Sequence, residues 1–186
     1  MPCFTPLRGR RDEDGRIRIG STDFQSGRRV EVACGQCLGC RLERSRQWAV
    51  RCMHEAQLHE RNCFLTLTYA PEHLPWDGGL DHRHWQLFAK RLRKDGLKFK
   101  YLQVGEYGEA NRRPHYHACM FGVDFHEDRE LYRRTKDGAL FTSRYLEERW
   151  KKGHALVGNL TWQSAAYVAR YCMKKSSDVP TDTFER

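Results

Sequence analysis

Residues 99–105 and 114–122 are two apolar, β-prone segments separated by a short run that contains Gly108 and Asn111. Glycine and asparagine reverse a chain cheaply, so the two segments are predicted to pair as an antiparallel hairpin. This pairing restricts the fold more than any other feature. The period of two in a strand puts His115 and His117 on one face and Tyr116 on the other. It also brings Glu106, at the end of the first segment, beside the two imidazoles, with Glu109 in the turn as a substitute.

Two imidazoles and a carboxylate with open positions suit a divalent ion such as Mn²⁺ or Mg²⁺, which polarises a phosphate oxygen. Simple packing is the rival role for two strand histidines. A second pair, His82 and His84, provides a control. It sits at a predicted helix start, where residues two apart diverge, so surface and capping roles are assigned to it.

The remaining pattern alternates between the two periods. From Arg41 the pattern reads as a helix with Leu42, Ala49, Cys52, Met53 and Ala56 on one stripe, and residues 62–69 as a central strand. Asp81 caps a helix carrying Trp85, Phe88 and Leu92 that stops at Gly96. After a polar stretch with a turn at 136–138 come a helix over 143–152, a strand over 154–161 and a final helix over 163–175. Helices interspersed with strands that pair antiparallel indicate an α+β fold, a central antiparallel sheet with its helices mainly on one face. The 186 residues are expected to form one main domain, 41–186, preceded by a small cysteine-rich module, 1–40, with a hairpin near 16–19 and 28–32.

The net charge of +9 is spread along the chain and interleaved with Trp48, Trp85, Tyr107, Trp150 and Trp162, which suits a polyanion whose bases can stack. Nucleic acid is the expected partner, and no membrane contact is expected. No apolar stretch of signal-peptide or membrane-spanning length is present, so a cytoplasmic location is expected. In a reducing compartment the eight cysteines favour thiolate metal ligation or ordinary burial over disulfides. Cys34, Cys37 and Cys40 have CxxCxxC spacing and need a fourth ligand for tetrahedral Zn²⁺. Cys3 is first choice, with Cys52 and His54 as alternatives. The ferredoxin run would need another Cys-Pro where Arg44 and Ser45 stand, which argues against iron–sulfur. Cys63, Cys119 and Cys172 are assigned to packing.

In the final helix Tyr167 and Tyr171 are one turn apart, so their hydroxyls share a face, and Lys174 lies close to it. Taken alone, such a pair is ordinary amphipathic packing. Beside a metal-ligand hairpin in a basic chain it supplies nucleophiles.

The segments Phe64-Leu65-Thr66-Leu67-Thr68, Gly105-Glu106-Tyr107-Gly108-Glu109, Arg113-Pro114-His115-Tyr116-His117 and Tyr167-Val168-Ala169-Arg170-Tyr171-Cys172-Met173-Lys174 together resemble the ordered motifs of HUH endonucleases. The resemblance covers residues 34–175 and is strongest to the rolling-circle initiators of small single-stranded DNA phages, the microviruses of gokushovirus type. It implies a palm-like, ferredoxin-like sheet on which His115, His117 and Glu106 hold the metal that orients a scissile phosphate. Tyr171 or Tyr167 would attack a single-stranded origin, leaving a 5′-phosphotyrosine and a free 3′-hydroxyl. Lys174 would assist at the phosphate, and Arg113 and Lys175 would contact DNA. Host helicase and DNA polymerase are the implied partners, since the chain has no GxxxxGK[ST] loop of its own, and an infected bacterial cell is the implied setting. A non-catalytic zinc-ribbon DNA-binding protein is the alternative. A hydrolase or oxygenase of small substrates fits the basicity poorly.

Overall fold

The computed structural model describes residues 3–20, 27–108, 112–135 and 138–171. The chain forms two compact units, Met1–Gln47 and Trp48–Arg186. In chain order the elements are β1 (Leu7–Arg11), β2 (Ile17–Ile19), β3 (Arg28–Val32), α1 (Leu38–Gln57), β4 (Asn62–Thr68), α2 (His82–Lys94), β5 (Lys100–Tyr107), β6 (Pro114–Phe121), β7 (Arg129–Thr135), β8 (Gly138–Ser143), α3 (Arg144–Trp150), β9 (Ala155–Gly158) and α4 (Trp162–Tyr171). The boundary between the units falls inside α1.

The first unit holds a three-stranded antiparallel sheet of order β2-β1-β3. The expected hairpin therefore does not form: β2 and β3 both pair with β1, not with each other. β1 reads LRGRR, and its arginines hide the alternation that marks a strand.

The second unit is built on a six-stranded sheet of order β5-β6-β4-β9-β8-β7 in which every neighbouring pair is antiparallel. The odd-numbered residues of β4, namely Cys63, Leu65 and Leu67, share a face with Tyr116, Ala118 and Met120 of β6. Trp85, Phe88 and Leu92 of α2 and Leu146 and Trp150 of α3 cover that face. On the opposite face Phe64, Val104, Cys119 and Phe121 are covered by Ala49 and Cys52 of α1 and Ala165, Val168 and Ala169 of α4. The α+β class and antiparallel sheet agree with the sequence expectation, but helices lie on both faces of the sheet. The reason is β6, which is buried on both sides from Tyr116 to Phe121 and needs two covers.

Local signals set the helix ends. Asp81 Oδ1 accepts from Arg83 N at 2.8 Å and Ser143 Oγ accepts from Leu146 N at 3.2 Å, so both carry N-caps. Thr161 and Ser164 cap α4 reciprocally: Thr161 Oγ1 accepts from Ser164 N at 3.2 Å and Ser164 Oγ from Thr161 N at 2.9 Å. The β7–β8 hairpin occupies the stretch expected to be merely polar. β7 is the edge strand and mostly exposed, and β8 beside it is only half-buried, so no clean apolar alternation announces them.

Trp85 and Trp150, grouped by sequence with base-stacking candidates, are fully buried in the α2/α3 core. Replacing Trp85 with alanine is expected to cost about 3–5 kcal/mol through cavity formation, read as a lower urea midpoint with an unchanged slope.

Candidate active site

The face of the sheet beneath α4 carries the site. The register pairs Glu106 with His115 across β5 and β6, and His115 with Thr68 across β6 and β4. One row further in, Val104, His117 and Thr66 stand side by side. Glu106, His115 and His117 therefore share one face at the end of two adjacent strands, β5 and β6. Their ligand atoms lie within 4.8 Å of one another.

Glu106 is the hub. Its Oε1 lies 2.7 Å from His115 Nε2 and 3.0 Å from His117 Nε2, and accepts from the Tyr167 hydroxyl at 2.6 Å. Burial works to raise the Glu106 pKa. The hydrogen bonds from His115, His117 and Tyr167 outweigh it and hold the carboxyl well below the usual range. Its Oε2 is buried with no hydrogen-bond partner among the described residues.

Tautomers follow from the outer partners. His115 Nδ1 lies 2.9 Å from the Arg113 carbonyl oxygen, which can only accept, so Nδ1 carries the proton in the neutral ring. Its Nε2 lone pair then faces a carboxylate oxygen, an arrangement that needs a shared proton or a cation. Burial lowers the His115 pKa, but the contacts to Glu106 and the Arg113 carbonyl prevail and raise it. His117 Nδ1 is 3.0 Å from Thr66 Oγ1, and the ring stacks on Phe64 with centroids 5.5 Å apart. Thr66 and Phe64 are orienting residues that the chemistry of the motif did not single out. Their signal was the strand alternation, which puts them on the histidine face.

The donor set fits a divalent cation: two neutral imidazole nitrogens, one carboxylate and an orphaned second carboxylate oxygen. Tyr167 stands edge-on to His117, with ring centroids 5.1 Å apart, and 4.8 Å from the ring of Tyr171. Burial, followed by the bonds to Glu106 and Tyr171, pushes the Tyr167 phenol well above its ordinary pKa. Of the two tyrosines named from sequence, Tyr167 reaches Glu106 and His117, and Tyr171 packs beside Tyr167.

Arg113 donates to the Tyr69 carbonyl, and its own carbonyl orients His115. Lys174 and Lys175, together with Cys172 and Glu109, lie outside the described residues. The control pair behaves as expected. His84 Nδ1 is 3.0 Å from the Tyr69 hydroxyl and its Nε2 is 3.4 Å from the Asp81 carboxylate, whereas His82 is exposed.

A second ligand cluster occupies the N-terminal unit. Cys3, Cys34, Cys37 and Cys40 bring their sulfurs within 4.8 Å, with Cys34 to Cys40 at 4.0 Å and Cys3 to Cys37 at 3.9 Å. Four ligands at about 2.3 Å around a tetrahedral Zn²⁺ would be about 3.8 Å apart. Backbone amides of Phe4 and Cys40 donate to Cys37 Sγ, and that of Cys37 to Cys34 Sγ, at 3.3–3.5 Å. Cys34 is lowered to about 5, first by the Thr5 hydroxyl and then by the amides of Cys37 and Gln36, while burial raises Cys40 to about 12. Cys3 is the fourth member of the cluster. Cys52 instead packs in the core with Cys119 and Phe121, and His54 is exposed.

A family model described as replication-associated protein ORF2/G2P matches residues 62–176, a span that contains β4, the β5–β6 hairpin and α4. The chain belongs to that family. Among relatives it is 34% identical over 189 residues to replication-associated protein VP4 of Bdellovibrio phage phiMH2K, covering 94% of this chain and 58% of the relative. It is 37% identical over 154 residues to replication-associated protein ORF2 of Spiroplasma virus 4 and 38% identical over 153 residues to replication-associated protein ORF4 of Chlamydia phage 1. Those matches cover 77% of this chain and 48% and 38% of the relatives. The chain therefore spans about half the length of the family members it matches. No solved structure matches it. Among the described residues no helix is long and apolar enough to cross a membrane.

Proposed function

We propose that this family member nicks and rejoins single-stranded DNA at a phage origin through a covalent 5′-phosphotyrosine. The observation that carries the proposal is the meeting of the Tyr167 hydroxyl, the Glu106 carboxylate and both histidine Nε2 atoms in one partly buried cluster, with Tyr171 beside Tyr167. Glu106, His115 and His117 would hold Mn²⁺ or Mg²⁺, which would polarise a phosphate oxygen and offset the carboxylate charge.

The division of labour among the residues follows from chemistry. At rest Tyr167 is a hydrogen-bonded phenol, since a phenolate beside a bare carboxylate would be repelled. In the reaction a tyrosine Oη–P bond forms as the P–O3′ bond breaks. The phenol loses its proton and the departing 3′ oxygen gains one. The phosphotyrosine retains the bond energy, so a 3′-hydroxyl can later reseal the strand. Two tyrosines on one helical face allow alternate attack. Arg113 holds its own carbonyl against His115, and Thr66 holds His117, so both rings keep their Nε2 atoms turned inward. Lys174 is proposed to meet the phosphate, and Arg113 and Lys175 the DNA. The free 3′ end would pass to host polymerase and the duplex ahead of it to host helicase, in the cytoplasm of an infected bacterial cell. The cysteine cluster is proposed to hold a structural Zn²⁺.

The test is transfer of a labelled single-stranded origin oligonucleotide to protein in Mn²⁺. Tyr167→Phe and Tyr171→Phe are each expected to leave partial adduct formation, and the double variant none. Adducts formed by the double variant would disprove the tyrosine chemistry. DNA binding without any cleavage in the parent protein would favour a purely DNA-binding role.

A further inference from the structure

The three strands of the N-terminal unit carry six arginines and one glutamate. Their register places four of the arginines and the glutamate on one face. Arg10 lies directly opposite Arg18 on β2 and directly opposite Arg29 on β3, so three arginines form one row across the whole sheet, with Arg10 Nη1 donating to the Gly27 carbonyl at 3.3 Å. Arg8 stands on the same face, two residues along β1, opposite Glu31. The apolar residues Leu7, Ile17, Ile19, Val30 and Val32 fall on the other face, together with the remaining two arginines, Arg11 and Arg28, which stand opposite each other.

Such a row is costly to the fold. Like charges directly opposite in a ladder are destabilising, and the available counter-charges are weak. Arg18 meets Asp12 at 2.8 Å and Arg8 meets Glu31 at 3.8 Å, but the arginine side chains are 67% and 89% exposed. A central position with two like-charged neighbours is where a sheet built for stability would place Thr or Val.

We infer that this arginine row is a docking face for the phosphodiester backbone of single-stranded DNA. Adjacent strands are about 4.8 Å apart, so the three guanidinium groups span about 10 Å, enough to meet two or three successive phosphates. Arginine suits the task because its planar fork pairs phosphate oxygens in bidentate fashion and stays charged. A lipid surface is the poorer fit for this row. Peripheral membrane binding combines basic groups with apolar side chains on the same side, and the strand residues beside Arg10, Arg18 and Arg29 on their face are Arg8 and Glu31, neither of them apolar. The inference does not depend on the nicking chemistry.

The experiment measures binding of a fluorescent oligothymidylate by the full chain across 50–200 mM salt, without added Mn²⁺ or Mg²⁺. The triple variant R10T/R18T/R29T is expected to bind at least about tenfold more weakly. The slope of log affinity against log salt should be shallower by about two, close to 0.7 for each lost phosphate contact. Its melting temperature should be equal to or above that of the parent, because threonine relieves the like-charge row. An unchanged salt slope would overturn the inference. So would loss of binding only to vesicles containing phosphatidylserine, with oligothymidylate binding intact. If the triple variant fails to fold, R29Q alone decides: the slope should fall by about 0.7, and an unchanged slope refutes the docking face.

Discussion

Glu106→Gln is expected to weaken Mn²⁺ binding at the Glu106/His115/His117 cluster and slow metal-dependent strand cleavage, each by about 10²- to 10³-fold. The substitution barely changes volume, so packing beneath α4 is retained. What it removes is the negative charge and one of the two acceptor oxygens, including the buried Oε2 that has no protein partner among the described residues. The amide oxygen can still accept from Tyr167, so the tyrosine stays in place and the loss falls on the cation. Titration calorimetry with Mn²⁺ and single-turnover cleavage of an origin oligonucleotide measure the two effects separately. A variant that kept both Mn²⁺ affinity and cleavage within threefold would show that the carboxylate is not a ligand.

The other large effect is expected in the N-terminal unit. Cys37→Ser should abolish binding of about one Zn²⁺ per chain and with it the protection of β1–β3 amides from hydrogen exchange. Among described residues 3–47 only Gly39, Cys40 and Ser45 are buried, so this unit has almost no apolar core of its own. A segment of that size without a core needs a staple. Structural Zn²⁺ in small modules supplies about 10–16 kcal/mol at neutral pH, more than enough to decide whether the sheet forms. Cys3 precedes β1, Cys34 follows β3, and Cys37 and Cys40 lie at the start of α1, so one ion would tie the ends of the sheet to the helix. Metal content by mass spectrometry and exchange rates by NMR test this directly. Full β1–β3 protection in metal-free protein would show that the sheet holds without the ion.

The sheet surrounding the site was legible in the sequence. Strands β4, β5 and β6 have strong apolar alternation or an apolar run bounded by turn residues, and α2 announces itself by its Asp81 cap and the spacing of Trp85, Phe88 and Leu92. β1 and the β7–β8 hairpin were not legible. β1, central in its own sheet, and β7, at the edge of the other, are largely exposed and rich in arginine, and a strand with little buried face leaves no periodic trace. The tryptophans misled for a related reason: an aromatic near basic residues in sequence is not thereby near them in space, and Trp85 and Trp150 point into the core.

The sequence by itself determined which residues could take part in the chemistry. A strand period of two puts His115 and His117 on one face, a hairpin turn returns Glu106 to them, and a helical turn aligns Tyr167 with Tyr171. All of these are short-range consequences of backbone geometry. Only the tertiary structure decided that α4 packs on the histidine face and not on the Tyr116 face, which puts the Tyr167 hydroxyl 2.6 Å from Glu106. That choice depends on burying Ala165, Val168 and Ala169 against Cys119, Phe121 and Val104, contacts between residues at least 44 positions apart in the chain. It likewise decided that Cys3 is the fourth cysteine and that Arg10, Arg18 and Arg29 form one row, because both depend on strand register.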